Sequence, residues 1–201
     1  MSAAPEHELN EKYHYPVPPP EGWNADDLDR LPDLPPHTEL IDGSLVFVSP
    51  QKSFHTLAMY LLESGLRSQV PADLRVRREM TVVLDKDNRP EPDLVVLHRL
   101  AVPDSGHNET RYRAEDVVLA VEVVSPESTA RDRERKPQLY ARAGIPHFWL
   151  VERMDNGRPT IHTYELDRVG AKYELTGIHH DRLKLSAPFT LDIDLTEIDD
   201  M

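Results

Sequence analysis

From residue 37 onward the chain switches between two hydrophobic periods, and the switch points predict a mixed α/β domain. Thr38–Ile41 and Ser44–Val48 flank Asp42-Gly43, a two-residue hairpin signal, so the domain is expected to open with a β-hairpin. Phe54, Leu57, Ala58, Leu61, Leu62 and Leu66 then recur at helical spacing, which predicts a helix through about residue 70. Leu74 to Leu84 reads as one strand, 85–89 as a charged turn, and Asp93 to Leu97 as a partner strand. After a polar excursion over 98–115, Val117 to Val124 is almost wholly apolar, as a central strand buried on both faces must be. Residues 129–143 read as a helix closed by Gly144. Pro137 fits either in the first turn of a late-starting helix or at a kink. Strands are expected over 147–152, 160–166 and 172–175, with turns at 154–158 and 167–170.

Composition adds the ends of the chain. Eight of the 18 prolines fall within residues 1–36, which predicts an extended, proline-rich acidic arm, with Asn24 as the N-cap of one short helix. The expected division is this arm, a domain over 37–195, and an acidic tail over 196–201. The arm is expected to be dispensable for folding. Residues 1–39 carry nine acids and two bases, and residues 181–201 six and two, so most of the net charge of −13 lies at the ends. The near-neutral middle holds two basic clusters, Arg75, Arg77 and Arg78, and Arg131, Arg133, Arg135 and Lys136. Net acidity therefore does not decide against a nucleic-acid partner. There is no cysteine, which excludes disulfides and thiolate metal sites. No apolar run approaches the ~20 residues of a membrane span, and the start lacks secretory features. A cytoplasmic protein without a membrane partner is the expectation.

Glu122 is the residue that calls for an explanation. A carboxylate inside an apolar strand costs several kcal/mol unless it is paired, hydrogen-bonded or metal-bound. Asp93 begins the other short apolar strand. If the two strands are neighbours their carboxylates converge, and two close carboxylates either take up a proton or share a cation. An all-oxygen donor set favours Mg²⁺ or Mn²⁺.

Pro92-Asp93 followed by Glu122-Val123-Val124 resembles the PD-(D/E)XK pattern of restriction-endonuclease-like nucleases. The stretches Glu39–Gly43, Pro92–Val96, Val121–Pro126, Asp132 with Lys136, and Tyr140–Val151 resemble the Uma-type family within that superfamily, over roughly residues 37–195. The resemblance implies a restriction-endonuclease-like mixed sheet flanked by helices. It implies a metal held by Asp93, Glu122 and the backbone carbonyl of Val123, and metal-dependent hydrolysis of DNA phosphodiester bonds. Val124 stands where the superfamily has its lysine, and the resemblance suggests Lys136 as the relocated one. Glu39 is a candidate further acid, and His55 matches a family histidine whose role it does not assign. Arg75, Arg77, Arg131 and Arg133 are candidate phosphate contacts, and a homodimer is compatible with the pattern.

Each assignment has a plainer alternative. Asp93 could be a strand-start aspartate satisfied by backbone amides, and Glu122 could be paired with an arginine. Lys136 could pair with Asp132 on a solvated helix face, and His55 could merely pack. Glu39 could be an exposed hairpin residue, and His179-His180 reads as a solvated loop rather than a metal site. At the level of function, the alternatives are a catalytically silent module of the same fold that binds nucleic acid or protein, and an interaction protein whose arm is the functional part.

Overall fold

The computed structural model describes residues 16–103 and 108–201; the first fifteen residues of the expected arm lie outside them. Strands β1 (Glu39–Ile41) and β2 (Ser44–Val46) form the expected hairpin, with Asp42 at φ +51° and Gly43 at φ +72°. Two consecutive left-handed residues are what a tight hairpin turn requires. Helix α1 (Ser53–Gln69) follows.

The central sheet has six strands. β3 (Leu74–Arg78), β5 (Leu94–His98), β7 (Val117–Val123), β8 (His147–Arg153), β9 (Pro159–Asp167) and β10 (Lys172–His179) lie in the order β10-β9-β8-β7-β5-β3. Two further strands, β4 (Thr81–Val83) and β6 (Arg111–Arg113), pair in parallel outside this sheet. Only β7 and β8 run parallel within it, and such a pair needs a crossover. The crossover is a π-helical turn over Arg131–Arg135 running into helix α2 (Lys136–Arg142). Pro137 sits at the start of α2. It has no N–H to donate into the preceding turn, which suits the wider turn there. Gly144 at φ +83° ends the helix.

The sheet separates two cores. Leu94, Val96, Leu119 and Val121 face α1. Val95, Leu97 and Ala120 face α2, with Tyr140 and Phe148. Central strand β7 is buried along almost its whole length, as its composition predicts.

Several expectations are corrected. The strand expected over 74–84 is two. Glu79 takes φ +50° and donates its N–H to Asp93 O, and β4 leaves to pair with β6. The strand expected to stop at Leu175 continues to His179, because an irregularity between Leu175 and Gly177 lets pairing with β9 resume. A hairpin of β11 (Arg182–Leu185) and β12 (Leu191–Asp194) adds Leu183, Leu191 and Ile193 to the α1-side core.

The expected boundaries at 36/37 and 195/196 do not mark edges of packing. Trp23 N bonds Gly43 O at 2.8 Å, Ala25 is buried, and Arg89 donates to Asp29 at 2.8 and 2.9 Å. At the other end Leu195 and Ile198 are buried in the α1-side core. The acidic ends look solvated in sequence because their apolar residues are sparse, yet among the described residues Ala25 and Ile198 are buried. Among the described residues no helix is long and apolar enough to cross a membrane.

Candidate active site

β5 and β7 are antiparallel neighbours with Leu94 opposite Val121, so Asp93, one residue before β5, lies beside Glu122 and Val123 at the other strand's end. Asp93 Oδ2 accepts the Val123 N–H at 2.6 Å, and Oδ1 lies 2.9 Å from His55 Nε2 on α1. Asp93 is thus partly satisfied by a backbone amide, as its plainer reading has it, yet it also lines the same cavity as Glu122.

Glu122 is 2% exposed. Its Oε2 receives Lys136 Nζ at 3.0 Å and its Oε1 receives the Tyr140 hydroxyl at 2.5 Å. Lys136 is 3% exposed, which removes the surface-pair reading. Its Nζ also lies 2.8 Å from Glu39 Oε1 and 3.6 Å from Asp132 Oδ1. Glu39 is no exposed hairpin residue: it is 1% exposed, and its Oε1 also accepts the Glu91 N–H at 2.8 Å. Asp132 is buried and bonded by the Ser128 hydroxyl. Arg131 Nε sits 3.4 Å from Glu39 Oε2, and neither atom makes a hydrogen bond.

Burial raises the Glu122 carboxyl well above the ordinary glutamate range. Lys136 opposes the rise, and Asp132, Asp93 and Glu39 add to it. Burial also raises Asp132, against the pull of Lys136 and Ser128. For Lys136 burial acts downward, but Glu122, Glu39 and Asp132 outweigh it and hold the ammonium well above its usual value. Burial, then Glu122 and Glu39, raise Tyr140, so its hydroxyl keeps the proton that it donates to Glu122.

These groups line a cavity of about 430 Å³ whose rim includes His37, Glu79, Glu91 and Glu127. Of the four arginines expected to meet phosphate, Arg131 alone lines it. Arg133 binds Glu152 at 2.5 Å, and Arg75 and Arg77 donate to main-chain carbonyls of their own neighbourhood. His179 and His180 contact Thr163 and Thr160 instead of converging on a common ligand. Tyr140 and Asp132 went unassigned at the level of sequence. The available signal was the spacing of Asp132, Lys136 and Tyr140, four residues apart on one helical face.

Among the described residues no three histidine or acidic side chains stand together as a ready metal cage. The ammonium of Lys136 occupies the space between Glu39 and Glu122. The donors nonetheless suit a hard cation. Asp93, Glu122, Asp132 and Glu39 outnumber Lys136 and Arg131, and Glu39 Oε2 and Asp132 Oδ1 are buried without a hydrogen-bond partner.

A six-stranded mixed sheet flanked by helices, with an acidic pair at adjacent strand ends and a lysine delivered by the next helix, defines a restriction-endonuclease-like α/β protein. The chain belongs to the Uma2 family, described as "Putative restriction endonuclease", whose pattern matches residues 25–196. It is similar to the crystal structure of a protein from Anabaena variabilis described as a putative nuclease belonging to DUF820. That likeness has a TM-score of 0.66 at 18% identity and covers 87% of this chain and 96% of the other. The structure of P. aeruginosa NucC in its cAAA-bound form is similar at a TM-score of 0.36 and 11% identity, covering 64% of this chain and 85% of that one. No curated protein matches.

Proposed function

We propose that this protein is a metal-dependent endonuclease that hydrolyses phosphodiester bonds in DNA. The observation that carries the reading is Lys136. Its Nζ reaches Glu122 Oε2 at 3.0 Å, although Val124 occupies the position where the superfamily motif has lysine. Asp93, Glu122 and the Val123 carbonyl are the groups we assign to hold Mg²⁺ or Mn²⁺, with Glu39 as a further acid nearby. When bound, such an ion makes a coordinated water more acidic and polarises the scissile phosphate.

The chain's own residues supply orientation and charge. Lys136 turns its ammonium to Glu39 and Glu122 at 2.8 and 3.0 Å, with Asp132 farther off at 3.6 Å, and its positive charge is suited to meet negative charge developing on the phosphate. Arg131, lining the cavity with its Nε unbonded, is suited to receive a phosphate oxygen. Asp132 holds the ammonium from the preceding turn.

A second reading, the catalytically silent module, has one observation in its favour. The ammonium is enclosed by three carboxylates, and Glu79, Glu91 and Glu127 at the rim repel a polyanion. Nicking of plasmid DNA separates the two. The parent protein is expected to cut in Mg²⁺ or Mn²⁺. Lys136→Ala is expected to lose ~10²–10³ in rate while Mn²⁺ affinity measured by calorimetry survives. Removing one partner of a buried ion pair costs about 3–5 kcal/mol, so the variant's melting curve accompanies the assay. Unchanged cutting by Lys136→Ala would take the lysine out of the mechanism. No cutting by the parent with either ion on several DNA forms would favour the silent module.

A further inference from the structure

We propose that His55 and Tyr140 are positioning residues, which hold Asp93 and Glu122 from opposite faces of the sheet. Helix α1 covers one face and brings His55 Nε2 to 2.9 Å from Asp93 Oδ1. Helix α2 covers the other and brings the Tyr140 hydroxyl to 2.5 Å from Glu122 Oε1. Each carboxylate is thereby fixed at both oxygens. Asp93 has His55 and the Val123 amide, and Glu122 has Tyr140 and Lys136. A carboxylate oxygen has two lone pairs, so one partner at each oxygen, a close imidazole contact in the case of Asp93 Oδ1, sets the side chain's direction and leaves a lone pair for a ligand.

Packing alone does not account for either residue. Tyr140 is fully buried, and its ring lies against Phe148 at 5.9 Å, a contact that phenylalanine would make equally well. The hydroxyl donates to Glu122. His55 is 4% exposed and keeps Nδ1 buried without a hydrogen bond. An unsatisfied imidazole nitrogen costs stability in a core position that leucine could fill. The compensation lies at Asp93. Outer groups of this kind set the orientation of ligands, and losing one typically weakens metal binding 10–100-fold.

The consequence for metal rests on the endonuclease reading, whereas the positioning itself is testable without metal. The Val123 amide reports Asp93 through its 2.6 Å bond, and the side-chain carboxyl ¹³C resonance of Glu122 reports Tyr140. In the metal-free protein, His55→Phe is expected to move the Val123 amide resonance and speed its hydrogen exchange. His55→Gln, which restores an N–H donor, is expected to recover most of the parent behaviour. Tyr140→Phe is expected to shift the Glu122 carboxyl resonance while melting close to the parent. With Mn²⁺, His55→Phe and Tyr140→Phe are each expected to bind 10–100-fold more weakly. Unmoved resonances in both variants, or Mn²⁺ affinities equal to the parent's, would overturn the proposal. A parent that binds no Mn²⁺ overturns the endonuclease reading, and the two resonances then still decide the positioning.

Discussion

Glu122 makes the protein's stability depend on pH in a way that can be measured. Burial lifts its carboxyl, and Lys136 only partly opposes the rise. The folded protein therefore keeps a proton that the unfolded chain releases above about pH 4.3. Stability falls as pH rises from there towards the folded-state value. Glu122→Gln cannot titrate, so in EDTA its melting temperature should gain on the parent's as pH increases from 4 to 8. A constant offset across that range would show that the fold does not disfavour the ionised carboxylate. Glu122 was legible because a lone charge in an apolar run has few explanations. The fate of Lys136 was not. Its i,i+4 relation to Asp132 looks the same on a solvated helix face as on one pressed against a strand.

Among the elements, α1 shows how packing overrides propensity. Gly65 lies inside this helix, where alanine is worth about 1 kcal/mol more. An alanine Cβ there would meet Ile193 of β12, with Cγ1 at 2.7 Å and Cγ2 at 3.1 Å. Ile193 is β-branched and 4% exposed, so it has little room to turn aside. Overpacking costs about 1–3 kcal/mol, which exceeds the propensity gain. Gly65→Ala should therefore lower the melting temperature by a few degrees, and a rise would mean that the β11–β12 hairpin yields easily. The same dependence on partners explains the misread strand over 74–84. Leu74 and Val76 serve one core and Val82 the other, so the apolar alternation runs on through a backbone break that no glycine or proline marks.

At the scale of the molecule, the described part of the N-terminal acidic segment around Trp23–Asp29 packs on the domain. Arg89 is 2% exposed and depends on Asp29, which also meets Arg111 at 2.9 Å. A chain beginning at Leu34 would leave the Arg89 guanidinium buried without its carboxylate. Losing one partner of a buried pair costs about 3–5 kcal/mol, and the partial exposure of Asp29 lowers this to about 3 kcal/mol. At ~2–4 °C per kcal/mol, the truncated protein should melt roughly 6–12 °C below full length. Equal melting temperatures would show that water replaces Asp29 at little cost. Asp29→Asn, which keeps two acceptor lone pairs but loses the charge, should fall between the two.

By itself the sequence determined the hairpin at Asp42-Gly43, both long helical stretches, the buried central strand and the acidic residue within it. These follow from local periodicity, turn chemistry and the cost of burying charge, all of which act within a short window. Only the tertiary structure decided that Asp93 lies beside Glu122, that Lys136 points inward to Glu39 and Glu122, and that Tyr140 and His55 reach the two carboxylates. It also decided that Trp23, Ala25 and Asp29 near one end and Ile198 near the other dock on the domain. Those facts depend on which strands become neighbours and which helix face covers them. Nearness of that kind is set by the packing of the whole chain, because residues 14 to 97 positions apart must meet before any of their charges is paired or buried.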